Sequence, residues 1–154
     1  MPIETRLAAL SDCKVLTDLC FRSKQSNGYD DAFMNACRQE LAVTANTLQE
    51  NECWVVQRDQ DLCGCGCLAI DSVNCSGEIS LFFVDPARQR QGVGTALWKI
   101  LLQRARQHNL KQLLLDADPA AVPFYTTLGF TITDRVPSGS IPGRFLQRMQ
   151  LTIT

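Results

Sequence analysis

Hydrophobic and polar positions change period repeatedly along the chain, and the changes mark out its elements. Ile3 to Leu10 predicts a first strand. Ser11 can cap a helix that carries Val15, Leu16, Leu19 and Cys20 on one face. A polar break, Ser23 to Gly28, precedes a second helix with Phe33, Met34, Cys37 and Leu41 at helical spacing. Cys53 to Arg58 and Leu62 to Ile70 predict a hairpin around the turn Asp59-Gln60-Asp61, and Glu78 to Val84 a further strand. Over residues 92–108, Val93, Ala96, Leu97, Ile100, Leu101 and Ala105 form one apolar stripe, the clearest helical signal in the chain. Lys111 to Asp116 predicts a short buried strand. Pro119 begins another helix, which Gly129 ends as a C-cap. Phe130 to Arg135 and Leu146 to Thr152 complete the pattern. The order is β-α-α-β-β-β-α-β-α-β-β, with no repeat or linker, so one domain over residues 1–154 is expected.

The junction between the strand ending at Val84 and the helical stripe over residues 92–108 carries candidate chemistry. Proline cannot extend a ladder, so Asp85-Pro86 stops the strand that ends at Val84. A basic loop, Arg88-Gln89-Arg90-Gln91, leads to Gly92 and Gly94 at the start of the helix. Strand, glycine loop and helix N-terminus make an anion site, because unpaired N–H groups converge there and the helix dipole adds about half a positive charge. A phosphate or pyrophosphate is the expected guest. A P-loop would need Gly-Lys-Ser/Thr, whereas Thr95-Ala96 follows Gly94. A dinucleotide fingerprint would need a third glycine where Leu97 stands, although Asp116 sits where a ribose-binding acid is found.

Composition adds limits. Apolar content of 45%, charged content of 20% and a net charge of −1 describe an ordinary globular chain without a global field for nucleic acid or membrane. No apolar run reaches membrane-spanning length and the N-terminus lacks a secretory pattern, so a cytoplasmic protein is expected. The eight cysteines are too sparse for a disulfide scaffold. Cys63-Gly-Cys-Gly-Cys67 looks like a metal motif. On a strand, however, its three thiols share one face at about 6.6 Å intervals, too far apart for one zinc ion. Small core cysteines and no metal are therefore expected.

Gln89-Arg-Gln-Gly-Val-Gly94 resembles the Gln/Arg-x-x-Gly-x-Gly/Ala motif of the GNAT superfamily, the GCN5-related N-acetyltransferases. Pro123-Phe-Tyr-Thr-Thr-Leu-Gly-Phe130 resembles that family's Phe-Tyr-x-x-x-Gly-Phe segment. Two motifs in the right order carry the resemblance over residues 78–130, and the remainder is similar in layout. The resemblance implies an α/β fold with a mixed, mostly antiparallel seven-stranded sheet and helices on both faces. It implies acetyl-CoA as co-substrate, held by the backbone of Phe82, Phe83 and Val84 and by Gln89, Arg90, Gln91, Gly92, Val93, Gly94 and Thr95.

The same resemblance implies direct N-acetylation of a primary amine, on a small molecule of amino-acid-like type or on a peptide. Tyr125 is then the general acid for the departing thiolate; otherwise it is a core tyrosine. Glu78 is then the base, directly or through water; otherwise it is a solvated glutamate at a strand start. Family members wall the acceptor site with the turn after the first helix and the last strand connection, which here offers Tyr29, Phe33 and Arg144. Arg144 could grip an acceptor carboxylate through its two-pronged guanidinium. Many relatives place an Asn where Asp118 stands, so a cofactor bond from that position is in doubt and helix capping is the alternative. His108 is expected as a helix-end dipole partner. The implied partner is a small-molecule amine, with neither nucleic acid nor membrane, and the chain is compatible with a homodimer. The competing reading is an acyl-CoA-binding regulatory module with weak turnover.

Overall fold

The computed structural model describes residues 2–154 and places seven strands in one sheet, in the order β1-β2-β3-β4-β5-β7-β6. The strands are β1 Glu4–Leu7, β2 Glu52–Arg58, β3 Asp61–Asp71, β4 Ser76–Val84, β5 Gln112–Ala117, β6 Thr131–Pro137 and β7 Phe145–Thr152. Every neighbouring pair is antiparallel except β4 and β5, which run parallel. The helices are α1 Cys13–Gln25, α2 Asp31–Ala36, α3 Arg38–Leu41, α4 Ala45–Glu50, α5 Val93–Gln107 and α6 Val122–Thr127. The mixed, mostly antiparallel seven-stranded sheet expected from the family resemblance is thus present.

Two apolar clusters lie on the two faces of the sheet. On one, α5 presents Val93, Leu97, Leu101 and Ala105, all buried, to Leu68, Leu113, Leu115 and Phe130. On the other, Leu16, Leu19 and Cys20 of α1 pack with Met34, Cys37 and Leu41 against Val55, Cys65, Cys67 and Leu81. Gly64 and Gly66 let α5 approach closely. A Cβ on Gly64 would stand 2.8 Å from Val93 Cγ1 and 3.1 Å from the Phe83 carbonyl, and one on Gly66 3.0 Å from Leu101 Cδ1.

Several local expectations change. The segment expected as one helix from Phe33 to Leu41 breaks at Cys37, whose φ of −90° and ψ of −2° end α2 before α3 restarts. Helix α4 was not anticipated, since Leu48 is its one large apolar residue. It is held by Thr44 and Thr47, whose hydroxyls and backbone N–H groups bond reciprocally. Strand β1 ends at Leu7 and not Leu10, because Leu10–Asp12 forms a 3-10 turn. Asp12, rather than Ser11, organises the helix entry by accepting from Ala9 N–H at 2.7 Å and from Arg6 at 2.8 Å.

The three thiols of 63–67 do not share a face. The pairing of β2 with β3 shifts between Val56 and Gln57, leaving Cys63 as a bulge. One extra residue reverses side-chain alternation. Cys63 therefore joins the α5 cluster, while Cys65 and Cys67 join the α1 cluster. Cys20 and Cys65 are in contact at 3.4 Å between sulfurs. That contact, followed by burial, holds the Cys65 thiol well above its ordinary range, so it is an inert core group.

A charged cluster ties the end of α5 to the start of β2. Arg104 donates to Glu52 at 2.8 and 2.9 Å, and the His108 ring lies 2.6 Å from the same carboxylate. His108 is thus a helix-end residue with a carboxylate partner, beyond its expected interaction with the dipole. The Arg104 hydrogen bonds, partly opposed by burial, depress the Glu52 pKa to about 2.

Two predictions follow from this packing. A group with a depressed folded-state pKa stabilises the fold above its unfolded pKa and loses that contribution as pH falls through the folded one. Glu52→Gln should cost about 1 kcal/mol at neutral pH, given solvent screening. It should also flatten the loss of stability between about pH 4.5 and about 2 in acid titrations of denaturant midpoint. An unchanged acid limb would show the cluster to be energetically idle. Gly64→Ala should cost about 1–3 kcal/mol by overpacking against the β-branched Val93, measured by urea unfolding.

Candidate functional site

Parallel pairing between β4 and β5 lasts for three positions, Ser76–Gln112, Gly77–Leu113 and Glu78–Leu114, and then stops. On its other edge β4 stays paired with β3 through Val84, but the register shifts so that Ser80 is left over between Ile79 and Leu81. Such a bulge bends and twists a strand. From Ile79 onward one edge of β4 carries unpaired backbone groups, and a cleft of about 490 Å³ opens there. Ile79 to Val84 form one wall, and Leu115, Asp116 and Asp118 form the facing wall. Ser23, Lys24, Ser26 and Asn27 come from the end of α1, and Glu40 from α3. Pro137, Gly139 and Leu146 come from the last hairpin.

Of the residues expected to meet the cofactor, Phe82, Phe83, Val84, Gln89 and Gly94 line this cleft. Asp85 ends the strand and caps a 3-10 turn, Pro86–Arg88, by accepting from Ala87 N–H at 3.0 Å. Arg22 pairs with the same carboxylate at 2.8 Å. Arg90 and Gly92 then adopt left-handed backbone, with φ of +63° and +81°. For arginine that conformation is strained, and strain of this kind gathers at ligand loops. Gly92 is the N-cap of α5, and the first bond of that helix runs from Ala96 N–H to the Gly92 carbonyl at 3.0 Å. The N–H groups of Val93, Gly94 and Thr95 precede that bond and have no partner within the helix.

The other members of the loop are not on the cleft lining. Arg90, Gln91, Gly92 and Thr95 are exposed, and Gln91 accepts from Arg58 at 3.0 Å. Val93 turns its side chain into the core, leaving only its backbone for a ligand. A Cβ on Gly94 would meet nothing of the protein closer than Val84 Cγ2 at 3.7 Å.

Tyr125 lies in α6, inside the wedge. Its ring packs edge-on against Phe82, Phe124 and Phe130 at 6.0, 5.3 and 5.8 Å between centroids, and it also lines the cleft. Burial first, and the Asp118 charge second, push its pKa well above the usual phenol value. The phenol is therefore protonated throughout the neutral range. It can donate a hydrogen bond to sulfur, but its acidity is less well matched to a thiol than an ordinary tyrosine's would be.

Glu78 is at the foot of the wedge, where β4 and β5 are still joined, and is not part of the lining. Its carboxylate stands 3.5 Å from Arg148, which also holds Asp116 at 2.7 Å. Asp116, at the end of β5, does line the cleft.

Tyr29, Phe33 and Arg144 come together as expected, but as a closed network behind the lining. The Tyr29 and Phe33 rings stack at 3.9 Å with 10° between planes, and the Arg144 guanidinium lies over both. Arg144 donates to Asp118 at 3.0 Å and to the Tyr29 hydroxyl at 2.9 Å. Its charge is thereby answered inside the protein, which corrects the expectation of a free carboxylate clamp. Asp118 accepts from Ala120 N–H at 2.9 Å, so it caps the turn Pro119–Ala121. Burial opposes its ionisation. The Ala120 N–H, the Tyr29 hydroxyl and the charges of Lys24 and Arg144 outweigh that and hold its pKa below the ordinary carboxylate value. Burial, then donation to Asp118, raises the Tyr29 pKa.

Glu40 was not singled out from the sequence, Asp116 was noted only as a position where a ribose-binding acid is found, and Lys24 only as the basic residue opening the segment 24–34 expected to wall the acceptor site. Lys24 belongs to the polar break after the first helix, yet nothing in the local pattern separates it from Ser23 or Gln25.

Comparison with known proteins agrees with this geometry. In structure, the chain is similar to a GCN5-related N-acetyltransferase from Rhodopseudomonas palustris, with TM-score 0.82, 19% identity and coverage of 99% of this chain and 97% of the other. It is also similar to the PaiA N-acetyltransferase of Thermoplasma acidophilum in complex with coenzyme A, with TM-score 0.79, 16% identity and coverage of 99% and 100%. A third likeness is to Salmonella typhimurium yncA with its cofactor acetyl-CoA, with TM-score 0.70, 21% identity and coverage of 99% and 94%. At these identities the likeness shows the fold. In sequence, the chain is 30% identical to human N-acetyltransferase 8 over 109 residues, 65% of this chain and 48% of that protein. It is 32% identical to IAA acetyltransferase of Azospirillum brasilense over 88 residues, 55% and 56% of the two chains. The chain thus spans about half the length of the curated relatives it matches. The family model described as an acetyltransferase (GNAT) domain matches residues 15–153, and this chain, with its splayed β4 and β5 and its glycine loop at the head of α5, belongs to the GNAT acetyltransferase family.

Proposed function

We propose that the chain is an N-acetyltransferase that moves the acetyl group of acetyl-CoA directly onto a primary amine of a small molecule or a peptide. The observation that carries this reading is the wedge between β4 and β5, with the anion loop after one strand and Tyr125 held inside it. The complexes of two structural relatives with coenzyme A and acetyl-CoA support the choice of donor.

In this reading the pyrophosphate is held by the N–H groups of Val93, Gly94 and Thr95, reinforced by the dipole of α5, with Gln89, Arg90, Gln91 and Gly92 around it. The pantetheine lies along the open edge of β4, where Phe82, Phe83 and Val84 offer backbone groups to its amides. One N–H of that edge meets the thioester carbonyl and stabilises the oxyanion as the amine adds. The departing sulfur accepts a hydrogen bond from the Tyr125 hydroxyl.

The acceptor must reach the thioester as a free amine, although near pKa ~10 it is mostly ammonium at neutral pH. Glu78 takes its proton through water, since its carboxylate stands outside the lining and connects to the cleft through Arg148 and Asp116. The remaining steps involve no enzyme nucleophile, and the Cys65 and Cys67 thiols are buried and held above their ordinary range, suiting direct attack over a cysteine-bound intermediate. Among the described residues no helix is long and apolar enough to cross a membrane.

Gly94→Val would place a side chain where the pyrophosphate approaches, with its Cβ only in ordinary contact, 3.7 Å from Val84 Cγ2. Charge-assisted hydrogen bonds contribute about 1.5–3 kcal/mol each. CoA affinity should therefore fall at least about 10-fold in calorimetric titration while the unfolding midpoint hardly moves; binding at the original affinity would remove the loop from the cofactor site. Tyr125→Phe keeps the ring packing and removes the donor. It should lower kcat about 10²-fold with acetyl-CoA affinity retained, in an assay of CoA thiol release. An unchanged kcat would make Tyr125 a packing residue, and absence of turnover in the parent protein over a broad amine panel would favour the acyl-CoA-binding module.

A further inference from the structure

Lys24, in the last turn of α1, is the cation of this cleft without a hydrogen-bonded acceptor. Its side chain is 12% exposed, and its ammonium stands 3.7 Å from Asp118 Oδ2, close enough for attraction but too far for a hydrogen bond. The nearer places on that carboxylate are taken. Tyr29 is at 2.9 and 2.8 Å from the two oxygens, Arg144 donates to Oδ2 at 3.0 Å, and Ala120 N–H donates to Oδ1 at 2.9 Å. A carboxylate offers about four acceptor directions. The faces of Tyr29 and Phe33, 5.9 and 6.0 Å away, attract the ammonium weakly but accept none of its protons in line. Two cations therefore share one anion, and all three side chains are at most 16% exposed. Within this cluster one positive charge is in surplus.

We propose that Lys24 is an anion subsite for the acceptor, and that the acceptor is a small zwitterion carrying one carboxylate besides its amine, of the free amino-acid class. The proposal rests on the acetyltransferase reading above. Lys24 lies on the β5 side of the wedge with Asp118, whose charge reaches the Tyr125 phenol, whereas the pyrophosphate loop follows β4. Lys24 and Tyr125 line the same cleft, so in the acetyltransferase reading Lys24 faces the space open to the incoming acceptor. A surplus of one charge matches a monoanion. Glu40 lines the same cleft, and its carboxylate would repel a phosphate dianion more than a monoanion while attracting the ammonium end. Arg144, the residue expected from the sequence to do this, is spent on Asp118 and instead keeps Lys24 from settling there.

The test is a matched acceptor panel, free amino acids against their C-terminal amides, with kcat and KM measured for each pair. The parent protein should prefer the acid by at least about 10-fold in kcat/KM, the scale of one charge-assisted hydrogen bond. Lys24→Met should bring the ratio near one through the KM of the acid, and Lys24→Arg should retain a preference. A parent that acetylates amides as well as acids overturns the subsite, as does acetyl-CoA binding without turnover of either series. Loss of acetyl-CoA affinity in Lys24→Met, read by calorimetry, would assign Lys24 to the cofactor instead. Failure of the parent to bind acetyl-CoA would overturn the underlying acetyltransferase reading and is distinguished by that same titration.

Discussion

Everything in the site depends on the early end of pairing between two parallel strands. A sheet ordinarily satisfies each backbone N–H and C=O against a neighbour, and leaving a run of them open near the core is costly. Here β4 and β5 are joined at three positions and then diverge. The bulge at Ser80 supplies the bend. The aromatic side chains of Phe82, Phe124, Tyr125 and Phe130 prop the space between the strands. The result is an unpaired strand edge that faces a cleft and not bulk solvent, which is what an extended ligand bearing amides needs.

The two sides of the wedge have different electrostatics, and the difference follows from how each strand ends. After β4 the chain turns through Asp85-Pro86 into left-handed Arg90 and Gly92, and so aims the free N–H groups of α5 outward. That end is positive through backbone dipoles. After β5 the chain turns through Asp118-Pro119, with an aspartate capping the turn in the same way. That end is organised by side-chain charges: Asp118 gathers Arg144, Tyr29 and Lys24, while Arg148 bridges Asp116 and Glu78. Dipoles suit a phosphate whose position is common to every turnover. Side-chain charges suit an acceptor, because one substitution can change which acceptor is preferred.

Packing behind the wedge is close on both faces of the sheet. Gly64 and Gly66 let α5 lie so close to β3 that the helix N-terminus stays in register with the end of β4. Small thiols fill the opposite face under α1. The buried cysteines there act as compact apolar residues in a tight space.

The sequence by itself determined the elements whose information is local. The stripe on α5, the Asp85-Pro86 stop, the glycines at the head of α5 and the hairpin around Asp59-Gln60-Asp61 are set by short-range sterics and periodicity, and they were legible without coordinates. The geometry of the loop before α5 was readable for that reason, and the helix that carries Tyr125 through its motif. Tertiary structure alone decided three things. A single bulge moved Cys63 to the other face, because alternation along a strand fails wherever the partner's register slips. The break at Cys37 and the short α4 depended on packing and on a Thr44–Thr47 exchange too brief to show as a period. The polar contacts, finally, join residues up to 115 positions apart, as between Tyr29 and Arg144. Which cation hydrogen-bonds Asp118, and which one stands farther off, is a matter of distances in three dimensions that no spacing along the chain encodes.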